Sequence, residues 1–173
     1  WAKPLPDEQA HELLSLLTQG STGEDTIDQE PAYSRPTQAH PEDVSLKIPA
    51  DVNRELLAAY LQEIPQNAAD FAGLIQSIIR DPQQTGVVEH AKRIAHTLKG
   101  SSNIIGIKGL ATISHHLEDT LEYIAQHKVV PPKELTDTMV EAADCIELMV
   151  DALLGQDEAP PQAQQVLQSV LDW

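Results

Sequence analysis

Apolar residues along this chain recur three and four positions apart, the period of a helix with one buried face. From Asp51, a plausible N-cap, the residues Val52, Leu56, Tyr60, Ile64, Phe71, Leu74 or Ile75, and Ile78 hold one stripe to Arg80. Asp81-Pro82 ends that helix. Pro65 lies inside it and predicts a kink or a restart. A second helix, over about 87–104, buries Val87, Ala91, Ile94, Leu98 and Ser101, and Gly106 punctuates it. The third, over about 108–127, aligns Leu110, Ile113, Leu117, Leu121 and Ile124. Pro131-Pro132 opens a fourth, with Leu135, Met139, Ala142, Ile146, Met149 and Leu153 buried and Gly155 closing it. Four amphipathic helices on short connections predict an all-α fold, an antiparallel four-helix bundle over residues 50–155. No segment alternates with the period of a strand.

Short helices are expected at both ends. Residues 7–19 carry Leu13, Leu14, Leu16 and Leu17 behind an acidic first turn, and Gly20 stops them. Residues 161–173 carry a similar Pro start and helical leucine spacing. The likeness fits a parent with tandem modules, but two unrelated amphipathic helices are the plainer reading. Between 21 and 49 there are four prolines and no apolar period, the composition of a linker. The expected layout is therefore a helical segment over 1–20, a linker over 21–49, the bundle, and a helical extension over 156–173.

Composition narrows the function. Eleven Lys plus Arg against 27 Asp plus Glu give a formal charge of −16, which repels phosphate backbones and anionic lipid. Nucleic-acid binding and membrane insertion are therefore not expected. Few aromatics and a Leu, Ile, Val and Ala core suit packed helices. Cys145 is the only cysteine, so an internal disulfide and a CxxC site are excluded, and it is expected to be an inert buried residue. A chain that opens on Trp1, with neither a leader-like start nor a long apolar run, is expected to be a piece of a longer cytoplasmic protein.

The chemistry concentrates on the second helix. With Leu98 at the centre of its buried stripe, a turn of about 100° per residue carries His96 to the outward side, beside Lys92, Lys99, Gly100 and Asn103. Lys92, Arg93 and Lys99 would form a basic spot on an acidic surface. Gly100 costs a helix roughly 1 kcal/mol relative to Ala, and access to His96 would explain it. If helices two and three fold back about residues 105–106, His115 stands level with His96 and Glu118 one turn lower. Side chains lean toward the N-terminus of their own helix, so His96 and Glu118 converge. A carboxylate that accepts the Nδ1 proton leaves the Nε2 lone pair free, which makes the imidazole a nucleophile. Lys99 could neutralise an incoming phosphoryl group.

His96-Thr97-Leu98-Lys99-Gly100-Ser101-Ser102, with Gly106 ten residues after the histidine, resembles the HxxKGxS signature of histidine phosphotransfer (HPt) domains. His115 and Glu118, 19 and 22 positions after His96, resemble the second histidine and the glutamate of the phosphotransfer domain of chemotaxis-type histidine kinases. The likeness covers about residues 50–154. It implies an HPt-like bundle in which His96 receives a phosphoryl group and passes it to an aspartate. The donor would be a kinase ATP-binding domain, of the parent or a partner protein, or a receiver; the acceptor would be a response-regulator receiver domain. Glu118 would fix the tautomer, Lys99 would support the phosphoryl group, and His115 would take a secondary part in the same network. The family's first helix is usually unbroken, so Pro65 departs from it. Chemotaxis-type kinases with several such domains, some controlling type IV pilus motility, show a similar arrangement.

Without an ATP-binding glycine loop, the module is not expected to act as an enzyme alone. Its partner-binding face would include Lys92, Gly100 and Asn103 around His96. No cofactor and no metal are expected: His115 and His116 point about 100° apart on a helix and, with Glu118, leave a ligand set incomplete. His116 is expected to be structural, and Ser101 and Ser102 to be packing residues. The competing reading is a helical docking or dimerisation domain inactive in phosphotransfer; a hydrolase or metalloenzyme ranks well below it.

Overall fold

The computed structural model describes residues 35–173. Four long helices run through it: α1 (Arg54–Arg80), α2 (Thr85–Ile105), α3 (Lys108–His127) and α4 (Lys133–Leu153), followed by a short α5 (Ala163–Leu171). Helices adjacent in sequence pack side by side, and α4 closes the ring against α1. Their inward stripes meet in one core that includes Phe71, Leu98, Leu117, Met139 and Ile146, all without solvent exposure. Cys145 lies in that core, and burial pushes its thiol up to about 11, so it packs as a small hydrophobe. No described helix is long and apolar enough to cross a membrane.

Local chemistry sets the ends of these elements. The α1 cap is Asn53 rather than the expected Asp51; its side chain accepts hydrogen bonds from the Glu55 and Leu56 amides at 2.9 and 3.0 Å. Pro65 neither ends α1 nor restarts it. A proline inside a helix costs about 3 kcal/mol. Here the turn on either side is anchored by Ile64, Ala68 and Phe71, each buried in the core, and that packing outweighs the lost hydrogen bond. Gly106 ends α2 at φ 91°, where Gly106 and Ile107 both donate to the Ser102 carbonyl at 2.8 and 2.9 Å. A Cβ there would meet Pro49 Cγ at 2.7 Å, so chain direction and space both require glycine.

Three expected core positions of α2 move by one residue. Val88, Ala95 and Ser102 are buried, whereas Val87, Ile94 and Ser101 sit at the border. Wedged between α1 and α3, the helix turns Ala91, Ala95 and Ser102 inward together with Val88, Leu98 and Ile105, and Val87 and Ile94 pack partly buried against that core. Ser102 is satisfied there by a 2.9 Å hydrogen bond with the Tyr60 hydroxyl. On α1, Ile75 rather than Leu74 is buried, Val52 precedes the helix, and Leu56 is 45 % exposed. Leu153 is half-buried. On α3 all five expected positions are buried.

Residues 35–49, which carry no apolar period, make a strap across the bundle rather than a free tether. A 3-10 turn at Pro41–Val44 packs on α3 and α5. The Gly109 amide donates to the Ser45 carbonyl at 2.7 Å, and Lys108 pairs with Asp43 at 3.1 Å. Gln168 accepts from the Ala39 amide at 2.8 Å, while Gln164 donates to the Ala39 carbonyl at 3.0 Å. The Arg35 guanidinium donates to the Val170 carbonyl at 2.8 Å. Thus α5, expected as an appended extension, lies in the same compact unit as the bundle. The helix expected over 7–19 and the linker up to residue 34 lie outside the described residues.

Candidate functional site

His96 projects from α2 between buried Ala95 and Leu98, and its side chain is 67 % exposed. Its Nδ1 lies 2.7 Å from Glu118 Oε1, an acceptor on the neighbouring α3. The second carboxylate oxygen, Oε2, is 2.5 Å from Lys99 Nζ. Lys99 follows His96 by three positions, so both reach the same carboxylate from one face of α2. Glu118 is only 15 % exposed. Burial by itself raises its pKa, but hydrogen bonds and charge from Lys99 and His96 outweigh that and hold it below the usual glutamate value.

The ionisation state decides the tautomer. An ionised carboxylate only accepts hydrogen bonds, so Nδ1 carries the proton and the Nε2 lone pair is left for an electrophile. The geometry expected from the antiparallel fold-back is present: His96, Lys99 and Glu118 meet as one cluster. A Cβ at Gly100 would meet nothing within 4 Å, which leaves open space one turn beyond His96. Asn103 is exposed on the same helix. The basic spot is weaker than expected, because Lys92 pairs with Glu89 at 3.0 Å and Lys99 with Glu118, while Arg93 is exposed.

His115 is half-buried, with Nε2 3.7 Å from Asp119 Oδ2. His116 is buried, as expected of a structural residue. Two features were not read from the sequence. One is Asp119, whose i,i+4 spacing from His115 was the available signal. The other is a groove between α1 and α2, lined by Leu56, Ala59, Tyr60, Thr97 and Ile104 among others. Ile104, 71 % exposed beside polar Asn103, was its one legible sign.

Known proteins share this part of the chain. The family model described as Hpt domain matches residues 55–156. The chemotaxis protein CheA of Treponema pallidum is 30 % identical over 103 residues, covering 60 % of this chain and 13 % of that protein. CheA of Borreliella burgdorferi is 33 % identical over 99 residues, 57 % of this chain and 11 % of that one. CheA of Bacillus subtilis is 35 % identical over 104 residues, 60 % of this chain and 15 % of that one. The match therefore spans a small part of these relatives. The matched residues hold all four long helices and the His96–Glu118–Lys99 cluster, and the chain belongs to the Hpt family of histidine phosphotransfer domains.

Proposed function

We propose that His96 is the phosphoacceptor of this module, with Glu118 as its orienting partner and Lys99 as the phosphoryl-stabilising cation. The observation that carries this reading is the 2.7 Å contact between Nδ1 of an exposed imidazole and a half-buried carboxylate. In the forward step the Nε2 lone pair attacks the γ-phosphorus of ATP held by a kinase domain. The N–P bond forms as the bond to ADP breaks, and the positive charge gained by the ring is offset by Glu118. In the second step an aspartate oxygen of a receiver attacks the same phosphorus in line, and Nε2 leaves with its electron pair. Charge is spread over the phosphoryl oxygens in such transfers, so positioning and nearby cations supply the catalysis.

The parent is proposed to be a chemotaxis-type histidine kinase, which the CheA relatives support. The module supplies only the acceptor and does not phosphorylate itself. The receiver docks on the face around His96, Gly100 and Asn103, where the absent side chain at 100 leaves room for an approaching active site. Lys92 stands at the border of that face, and exposed Leu56 and Ile104 offer apolar contact beside it. His115 takes a secondary part.

Phosphoramidate tests the reading without a partner. Wild type and His96→Gln are incubated with it, then followed by intact and peptide mass spectrometry with acid and base stability. One acid-labile, base-stable phosphoryl on His96, absent from the variant, is the expected result. A folded wild type that stays unlabelled while a control Hpt domain is labelled would favour a docking domain inactive in transfer.

A further inference from the structure

One turn of α3 gathers a second set of titratable groups on the residues flanking Glu118. Among the described residues, His115, His116 and Asp119 each bring one ligand atom within 4.8 Å of the others. His115 Nε2 lies 3.7 Å and His116 Nδ1 4.0 Å from the same oxygen, Asp119 Oδ2. The i,i+4 spacing sets His115 and Asp119 on one helix face. His116 joins from the buried side, its ring centroid 5.1 Å from that of His115. Glu118, the carboxylate closest in sequence to the two histidines, belongs instead to His96 and Lys99.

The pointer to a ligand is His116. Its side chain is 3 % exposed, and its Nδ1 is buried without a hydrogen-bond partner. An unsatisfied buried polar atom costs about 1–3 kcal/mol and is uncommon in folded proteins. This one faces a carboxylate oxygen too distant for a hydrogen bond, across a gap that a bound cation would close. Burial, with the nearby charges of His115 and Arg35, holds His116 down to about 4, so its ring is neutral near pH 7. Neutral imidazole is the form that binds metals.

We propose that His115, His116 and Asp119 form a binding site for a divalent transition ion of the zinc type. Two imidazoles and one carboxylate match the ligand preference of zinc and its neighbours, whereas calcium and magnesium favour all-oxygen sets. Zinc ligands at about 2.0–2.2 Å stand about 3.3–3.6 Å apart in a tetrahedron. The observed 3.7 and 4.0 Å exceed that slightly, and His115 and Asp119, each about one-third exposed, have room to close. Three protein ligands leave a fourth position for water or a partner's side chain. Of the other charges whose fields reach His116, Arg35 opposes the ion and Asp43 favours it.

The test is Zn2+ binding to the full 173-residue chain after chelator treatment, by competition with a chromogenic chelator at pH 7.5. His115→Gln and Asp119→Asn sit at half-buried positions and keep the fold, which circular dichroism checks; His116→Ala risks unfolding and is not needed. One ion per wild-type chain is expected, with affinity reduced at least about tenfold in each of the two variants and changed less than about twofold in His96→Gln. Imidazole nitrogen shifts of His115 and His116 should move on zinc addition. Wild-type affinity weaker than about 0.1 mM would overturn the proposal. Wild-type affinity in both variants, or loss of the ion in His96→Gln, would overturn it equally.

Discussion

Removing the Glu118 carboxylate should slow phosphorylation of His96 without unfolding the bundle. The hydrogen bond at stake is short, 2.7 Å, and its acceptor is ionised. Bonds of that kind contribute about 1.5–3 kcal/mol. At about 1.4 kcal/mol per factor of ten, complete loss corresponds to about 10- to 150-fold in rate. The His96 side chain is 67 % exposed, so water replaces part of the lost interaction, and the lower half of that range, about 10- to 40-fold, is expected for Glu118→Ala. Glu118→Gln keeps an acceptor oxygen but no charge. Charge-assisted bonds are roughly twice as strong as neutral ones, so its loss should be about 3- to 10-fold. The assay is the initial rate of labelling by phosphoramidate, quantified by intact mass, beside a urea melt of each variant. Lys99, 23 % exposed, reaches water when its partner is removed, so stability should fall little. Equal rates for wild type and Glu118→Ala would refute the orienting role. So would Gln slower than Ala, because the order follows from the carboxylate accepting the Nδ1 proton.

Gly100→Ala should separate stability from transfer. No atom lies within 4 Å of the added Cβ, so the fold should gain roughly 0.5–1 kcal/mol from helix propensity. Phosphoramidate labelling should be unchanged and transfer to a receiver slower; unchanged receiver transfer would remove Gly100 from the docking face. Gly109→Ala should loosen the strap, because its Cβ would meet the Val44 carbonyl oxygen at 2.6 Å and the Ser45 oxygen at 2.9 Å. Faster amide exchange over 39–49 with His96 labelling retained is expected, and unaltered exchange would contradict it. His116 gives a pH signature. Its folded pKa, about 4, lies below the ordinary 6.5, so the unfolded chain binds the proton more readily. Stability should therefore be full above pH 6.5, fall by up to about 3 kcal/mol toward pH 4, and level off below. Urea midpoints for His116→Gln should lack this fall; a parallel decline in the variant would assign it to other groups.

Much of the fold was legible because helix burial is periodic and periodicity survives in one dimension. The bounds of α3 and its five core residues followed from spacing alone, and the stop at Gly106 followed from its residue type. The meeting of His96 with Glu118 could also be read from the sequence. Two antiparallel helices joined by a two-residue connection have a nearly fixed register, so a pairing 22 residues apart reduces to arithmetic on one hairpin.

What depended on three or more elements at once was not legible. Which residues of α2 face inward depends on the gap left by α1 and α3, and so the buried set shifted to Val88, Ala95 and Ser102. Pro65 argued locally for a break, yet the helix continues because Ile64, Ala68 and Phe71 pack against the rest of the bundle. Residues 35–49 lack periodicity because their order comes from separate bonds to α3 and α5, more than sixty positions away, and irregular partners leave no period. His116 was expected to be structural, but its buried nitrogen without a hydrogen bond beside Asp119 exists only in the packed chain. Sequence by itself determined the four long helices, their order and the meeting of His96 with Glu118, since these rest on local propensity and one hairpin. Tertiary structure alone decided burial at the seams, the strap and the second histidine cluster, since desolvation is a property of all the neighbours together.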